Sequence, residues 1–108
     1  MPQYMLQFTY TTDTWNALVA NPVDRSAAVT ALAKKMGGKF ISLNYTMGDY
    51  DGVLVVEAAD DTAVMALALA AMGPGHLKAT KTTKLMTPAE AVAAMKKAQG
   101  AGYKGPGK

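Results

Sequence analysis

Two extended segments stand too close together in this chain to be parallel neighbours, and that restricts its fold more than any other feature. Lys39 to Met47 alternates along its length, and Val53-Leu54-Val55-Val56-Glu57-Ala58 opens on four apolar residues in a row. Between them lie only Gly48-Asp49-Tyr50-Asp51-Gly52. A parallel crossover needs about a dozen residues or more, so the two segments form an antiparallel hairpin.

The other elements fall around that hairpin. Gln3 to Tyr10 reads as a strand with Tyr4, Leu6, Phe8 and Tyr10 on one face and Met5, Gln7 and Thr9 on the other. Thr11-Thr12-Asp13 offers N-cap chemistry to a short helix on which Trp15, Leu18 and Val19 share a side. Asn21-Pro22 then restarts the helix with a cap and an N1 proline. Val29, Leu32, Ala33 and Met36 make the apolar stripe of that second piece, Lys34 and Lys35 suit its C-terminal dipole, and Gly37-Gly38 ends it. Asp60-Asp61 caps a helix over 62–72 that Gly73-Pro74-Gly75 stops, and His76 to Leu85 is a fourth strand. Thr87-Pro88-Ala89-Glu90 is a capping box that opens a last helix to about Ala98.

The order is β-α-β-β-α-β with an appended helix, an α+β ferredoxin-like arrangement in which right-handed crossovers put the first and third strands at the centre of the sheet. The whole is one domain over residues 1–98, followed by a glycine- and lysine-rich tail, 99–108, expected to be disordered. With both helices on one face, Val53 and Val55 or Leu54 and Val56 are left on the other. A second copy of the same sheet is the simplest cover, which predicts a homodimer or higher homo-oligomer.

Composition narrows the function classes. There is no cysteine, hence neither a disulfide framework nor a thiolate nucleophile. The net charge of +3 is spread over pairs and alternating lysines without an aromatic platform, so no nucleic-acid partner is expected. The longest apolar stretch, 62–72, is about half the ~20 residues of a membrane span. No membrane partner is expected, and with no charged n-region before an apolar one at the start, the expected location is cytoplasmic.

Here the residues resemble the GYD domain family, named for a glycine, tyrosine, aspartate signature that is Gly48-Asp49-Tyr50-Asp51 in this chain. Tyr4, Phe8-Thr9, Gly37-Gly38-Lys39, Thr46-Met47-Gly48, Glu57-Ala58 and Asp60-Asp61 support the resemblance by their order and spacing over about the first ninety residues. Gly52, where an apolar residue is commoner, and Asn44, where many members have an aromatic, depart from the pattern. The resemblance implies a dimeric α+β barrel of bacteria and archaea. Similar barrels serve as small monooxygenase-like enzymes, lactone isomerases and amino-acid-sensing domains of regulators, so it implies no single activity.

Gly48 and Gly52 bracket Asp49 and Asp51 as a turn in which glycine supplies positive φ and aspartate hydrogen-bonds the backbone. The same turn could instead aim Asp51 and Tyr50 into a cleft as proton acceptor and donor. His76 is the sole histidine, readable as a strand-edge residue, a base or a single axial haem ligand. No metal site and no cofactor are expected, since two carboxylates in one loop fall short of the six or more oxygens of a calcium site. If Leu6, Phe8, Ile41 and Leu43 face the helices, the opposite face presents Met5, Gln7, Thr9, Phe40, Ser42, Asn44 and Thr46. Lys81 of the fourth strand completes a candidate small-molecule surface. Two readings follow: a homo-oligomeric small-ligand-binding or assembly module, and a cofactor-free enzyme, monooxygenase- or isomerase-like, on a small partly apolar molecule.

Overall fold

The computed structural model describes residues 1–107 as β1 (Gln3–Tyr10), α1 (Thr12–Ala20), α2 (Ser26–Lys35), β2 (Lys39–Tyr45), β3 (Gly52–Glu57), α3 (Asp61–Met72), β4 (Leu77–Leu85) and α4 (Pro88–Gln99). All four strands join one antiparallel sheet in the order β2-β3-β1-β4, with β1 and β3 central. This is a small α+β architecture compatible with the ferredoxin-like arrangement. Of the expected tail, Gln99 is the last residue of α4, residues 101–105 form no helix or strand, and Lys108 lies outside the described residues.

Strand alternation decides where the core sits. Tyr4, Leu6 and Phe8 of β1 and Leu54 and Val56 of β3 are buried together with Ala58, Ala33 of α2, and Val64 and Leu67 of α3. The opposite face carries Met5, Gln7 and Thr9 of β1 and Val53 and Val55 of β3, and none of these is buried. One side of the sheet is thus a packed core and the other is half-exposed.

The second strand departs from simple alternation. Its register with β3 runs Phe40↔Val56, then Ser42↔Val55 and Leu43↔Leu54, with an irregularity between Phe40 and Ser42. Ile41 is the extra residue of this bulge. The shift puts both Phe40 and Leu43 against the core while Ile41 stays 42% exposed. The expected pairing of Ile41 with Leu43 on the helix face, and of Phe40 on the other, is therefore corrected.

Two connections also differ from expectation. The second helix starts at Ser26, not at Pro22, because Asp24 Oδ1 accepts the Ser26 N–H at 2.8 Å and residues 21–25 become a linker. That hydrogen bond also holds the Asp24 carboxyl below the usual range. Neither Gly48 nor Gly52 has a positive φ. Gly52 is needed for close approach instead: a Cβ there would lie 2.3 Å from Cζ of Phe8. By contrast Gly37, at φ +80°, does end α2 in the left-handed region, with Gly38 N–H donating to Ala33 O at 2.8 Å.

The last helix carries the expected capping box, Thr87 Oγ1 accepting from Glu90 N–H and Glu90 Oε1 from Thr87 N–H, both at 3.1 Å. It has no buried residue, and Val92 and Met95 are exposed. A radius of gyration of 17.8 Å and extents of 61 × 32 × 21 Å show an elongated molecule, since a compact domain of 100 residues has about 13 Å.

Gly52→Ala is expected to destabilise the protein by about 1–3 kcal/mol through overpacking against Phe8. In a Phe8→Leu background the same substitution should cost less, as read from urea unfolding midpoints across the double-mutant cycle.

Candidate functional site

The Gly48–Gly52 turn reaches across the end of β1. Thr46 N–H donates to Asp51 O and Asp51 N–H donates to Phe8 O, both at 2.8 Å, so the turn is stitched to its own hairpin and to the central strand. The Asp51 carboxylate then ties in the next element. Its Oδ2 accepts the Tyr10 backbone N–H at 2.9 Å and the Trp15 indole N–H at 3.0 Å. Residues on β1, α1 and the turn converge on one oxygen.

An aromatic cluster packs around this junction. Tyr10 and Trp15 meet edge to face at 5.0 Å, Phe8 lies 5.2 Å from Tyr10, and Tyr45 at the end of β2 lies 6.1 Å from both Tyr10 and Trp15. The phenols of Tyr10 and Tyr45 share a hydrogen bond at 3.0 Å. Burial first, and that bond second, raise the Tyr10 pKa well above the ordinary phenol value, with Arg25 acting in the opposite direction.

Of the residues singled out in the sequence, Asp51 lies at this junction. Tyr50 contributes its carbonyl, which accepts Thr46 Oγ1 at 2.6 Å. His76 stands on the other flank of β1, its carbonyl accepting Thr11 N–H at 3.1 Å and Thr14 Oγ1 at 2.8 Å. The open face does gather the polar set. Lys81, Gln7, Val53 and Asn44 form one row across the sheet, with Ser42 in the next row beside Val55 and Thr9 opposite Ala79. These polar groups and the Asp51 junction belong to different parts of the molecule.

A cavity of about 650 Å³ lies on the helix side, away from the polar sheet face singled out in the sequence, with His76 as the one candidate residue in its lining. Its floor is Phe8, Leu43 and Leu54 of the sheet, and its walls are Ala17 and Leu18 of α1, Ala28, Val29 and Leu32 of α2, and Leu67, Ala70 and Ala71 of α3. The polar members are Tyr10, Asp13, Thr14, Arg25 and His76. The one signal for it in the sequence is the alanine content of α2 and α3: a helix can keep its apolar stripe and still leave space where the stripe is methyl-sized.

A second, smaller groove of about 380 Å³ runs between α3 and β4. At its end Tyr4 donates to Asp61 Oδ1 at 2.6 Å, and Lys84 Nζ lies 3.9 Å from the same oxygen. The Tyr4 phenol is pushed up to about 12 by that hydrogen bond first, then by burial and the charges of Asp61 and Asp60. Among the described residues, no group of three or more His, Cys, Asp or Glu could hold a metal, and no helix is long and apolar enough to cross a membrane.

The GYD domain matches residues 4–95, which includes the turn, all of the sheet but Gln3, and most of α4. The chain belongs to the GYD domain family. No curated protein matches the sequence. Among solved structures, this GYD protein is similar to MtbAldR, with a TM-score of 0.58 and 13% identity over 80% of the present chain and 53% of the other. It therefore spans about half the length of that relative. It is also similar to TTHA0845 from Thermus thermophilus, with a TM-score of 0.52 and 12% identity over 81% of this chain and 95% of that one. At such identities the likeness concerns the fold.

Replacing Asp51 with Ala should cost about 1–3 kcal/mol, because two N–H groups lose their acceptor, and should alter Trp15 fluorescence in the folded protein. A stability loss without any fluorescence change would separate the indole from this junction. Tyr4 gives a pH test. A phenol whose folded pKa exceeds its unfolded value of about 10 contributes stability that is present below pH 10 and lost as pH rises toward 12. Urea midpoints of the native protein should fall across that window, and more shallowly in Tyr4→Phe.

Proposed function

We propose that this GYD protein is a small homo-oligomeric ligand-binding module, with the sheets of two copies paired face to face and the helix-side cavity as the ligand space. The observation that carries the reading is the cavity. Its volume of about 650 Å³ falls within the roughly 300–1,000 Å³ usual for small-molecule sites, and it combines an apolar lining with a few polar groups. The pairing is supported by the half-exposed Met5, Val53 and Val55 on the side of the sheet away from the core. Two such faces brought together would remove from water the apolar surface that the helices leave uncovered.

The polar row of Lys81, Gln7 and Asn44, with Ser42 and Thr9 beside it, then lies between the two copies. It suits hydrogen bonds across a homodimer, which homodimer interfaces accommodate around an apolar centre. The junction at Asp51 supports binding over proton abstraction, since its Oδ2 already accepts two N–H groups. The similarity in fold to MtbAldR is in keeping with a small binding or regulatory module.

Native mass spectrometry tests both parts together. The expected result is a dimer or higher even oligomer that retains a discrete small mass, and a Val53→Lys, Val55→Lys double variant that becomes monomeric while keeping its fold by circular dichroism. A native protein that is monomeric across a dilution series would refute the sheet pairing. Failure of any apolar probe, such as an anilinonaphthalene dye, to bind the folded protein would refute the ligand space.

A further inference from the structure

The lining of the cavity is mostly apolar. Arg25 and His76, with Asp13, Thr14 and Tyr10, are its polar members. Among the described residues the only ion pair is Lys84 with Asp61. Among the described residues Arg25 therefore has no carboxylate partner, and Asp13 of the same lining does not come within ion-pair distance of it. Arg25 and Tyr10 line the same cavity, and the guanidinium charge acts on the Tyr10 phenol against its upward shift. Arg25 also stands at the N-terminal end of α2, where the helix dipole adds positive potential.

A ligand that fills this space must present an apolar body to Leu32, Leu54 and Leu67 and an anionic end to Arg25. A guanidinium holds a carboxylate through two parallel N–H donations, stronger than a neutral hydrogen bond and directional. We infer that the cavity takes an amphipathic monocarboxylate of the fatty-acid kind, its chain between the sheet and the three helices and its carboxylate on Arg25. The proposal rests on the ligand-binding reading above and adds the chemical class to it.

Dodecanoate and dodecanol distinguish the two levels, since they share a chain and differ in the charged end. Binding would be followed by calorimetry and by the fluorescence of Trp15, whose ring packs 5.0 Å from Tyr10 on the cavity wall. The expected result is that dodecanoate binds the native protein roughly ten- to a hundredfold more tightly than dodecanol. Arg25→Gln should remove that difference and leave dodecanol unchanged. Ala71→Trp, which fills the space from α3, should abolish both, and Ala28→Leu, a smaller change on α2, should weaken both if the tryptophan variant does not fold.

Equal binding of the two probes, or an Arg25→Gln variant that keeps the preference, overturns the carboxylate assignment while leaving the cavity as a ligand space. Binding of dodecanoate that survives both filling variants overturns it too, because the ligand then lies elsewhere. If neither probe binds the folded protein, the ligand-binding reading falls with it.

Discussion

The ring of Phe8 lying against the bare Cα of Gly52 is the contact on which the rest of the site depends. A side chain at position 52 would push the ring away from β3. With the ring there, Tyr10 meets it tilted and Tyr45 edge-on, Trp15 closes the cluster from α1, and the Asp51 carboxylate finds two N–H donors at once. The position of α1 relative to the sheet follows from these contacts, since α1 has no buried residue to hold it by packing alone. Ala17 and Leu18 of this helix form one wall of the cavity. A glycine in one strand thereby sets the width of a space between three helices.

Much of the fold was legible because each element carried its own chemistry. Thr87 with Glu90, and Asp60 before Ala63, announce their helices by hydrogen bonds made within a single turn. The hairpin was legible from its length. What escaped was information held between elements. Nothing local marks Ile41 as a bulge, and one extra residue is enough to exchange the faces of Phe40 and Ile41. Pro22 has the right chemistry for a helix start, but Asp24 two residues later competes for Ser26 and wins. Gly52 looked like a turn glycine because its neighbours are turn formers, whereas the reason for it is an aromatic ring forty-four positions earlier in the chain.

The junction at Asp51 was not legible in its arrangement. Asp51 was identified from the turn, but its partners Tyr10 and Trp15 are brought to it only by the antiparallel pairing of β1 with β3 and the course of α1. The cavity was hidden for a different reason. Periodicity states which side of a helix faces inward, and it is silent on how far that helix stands from the sheet. Ala28, Ala70 and Ala71 satisfy an inward pattern as well as leucine would, yet leave room for another molecule.

The two margins of the sheet bear on how copies of the chain can meet. A straight, unguarded outer strand is a template for adding another strand, and then another, without end. On β2 the bulge at Ile41 interrupts that template. On β4 three lysines, Lys78, Lys81 and Lys84, set a like charge against any copy approaching along the same margin. Growth of the sheet sideways into a fibre is therefore opposed at both ends of the strand order.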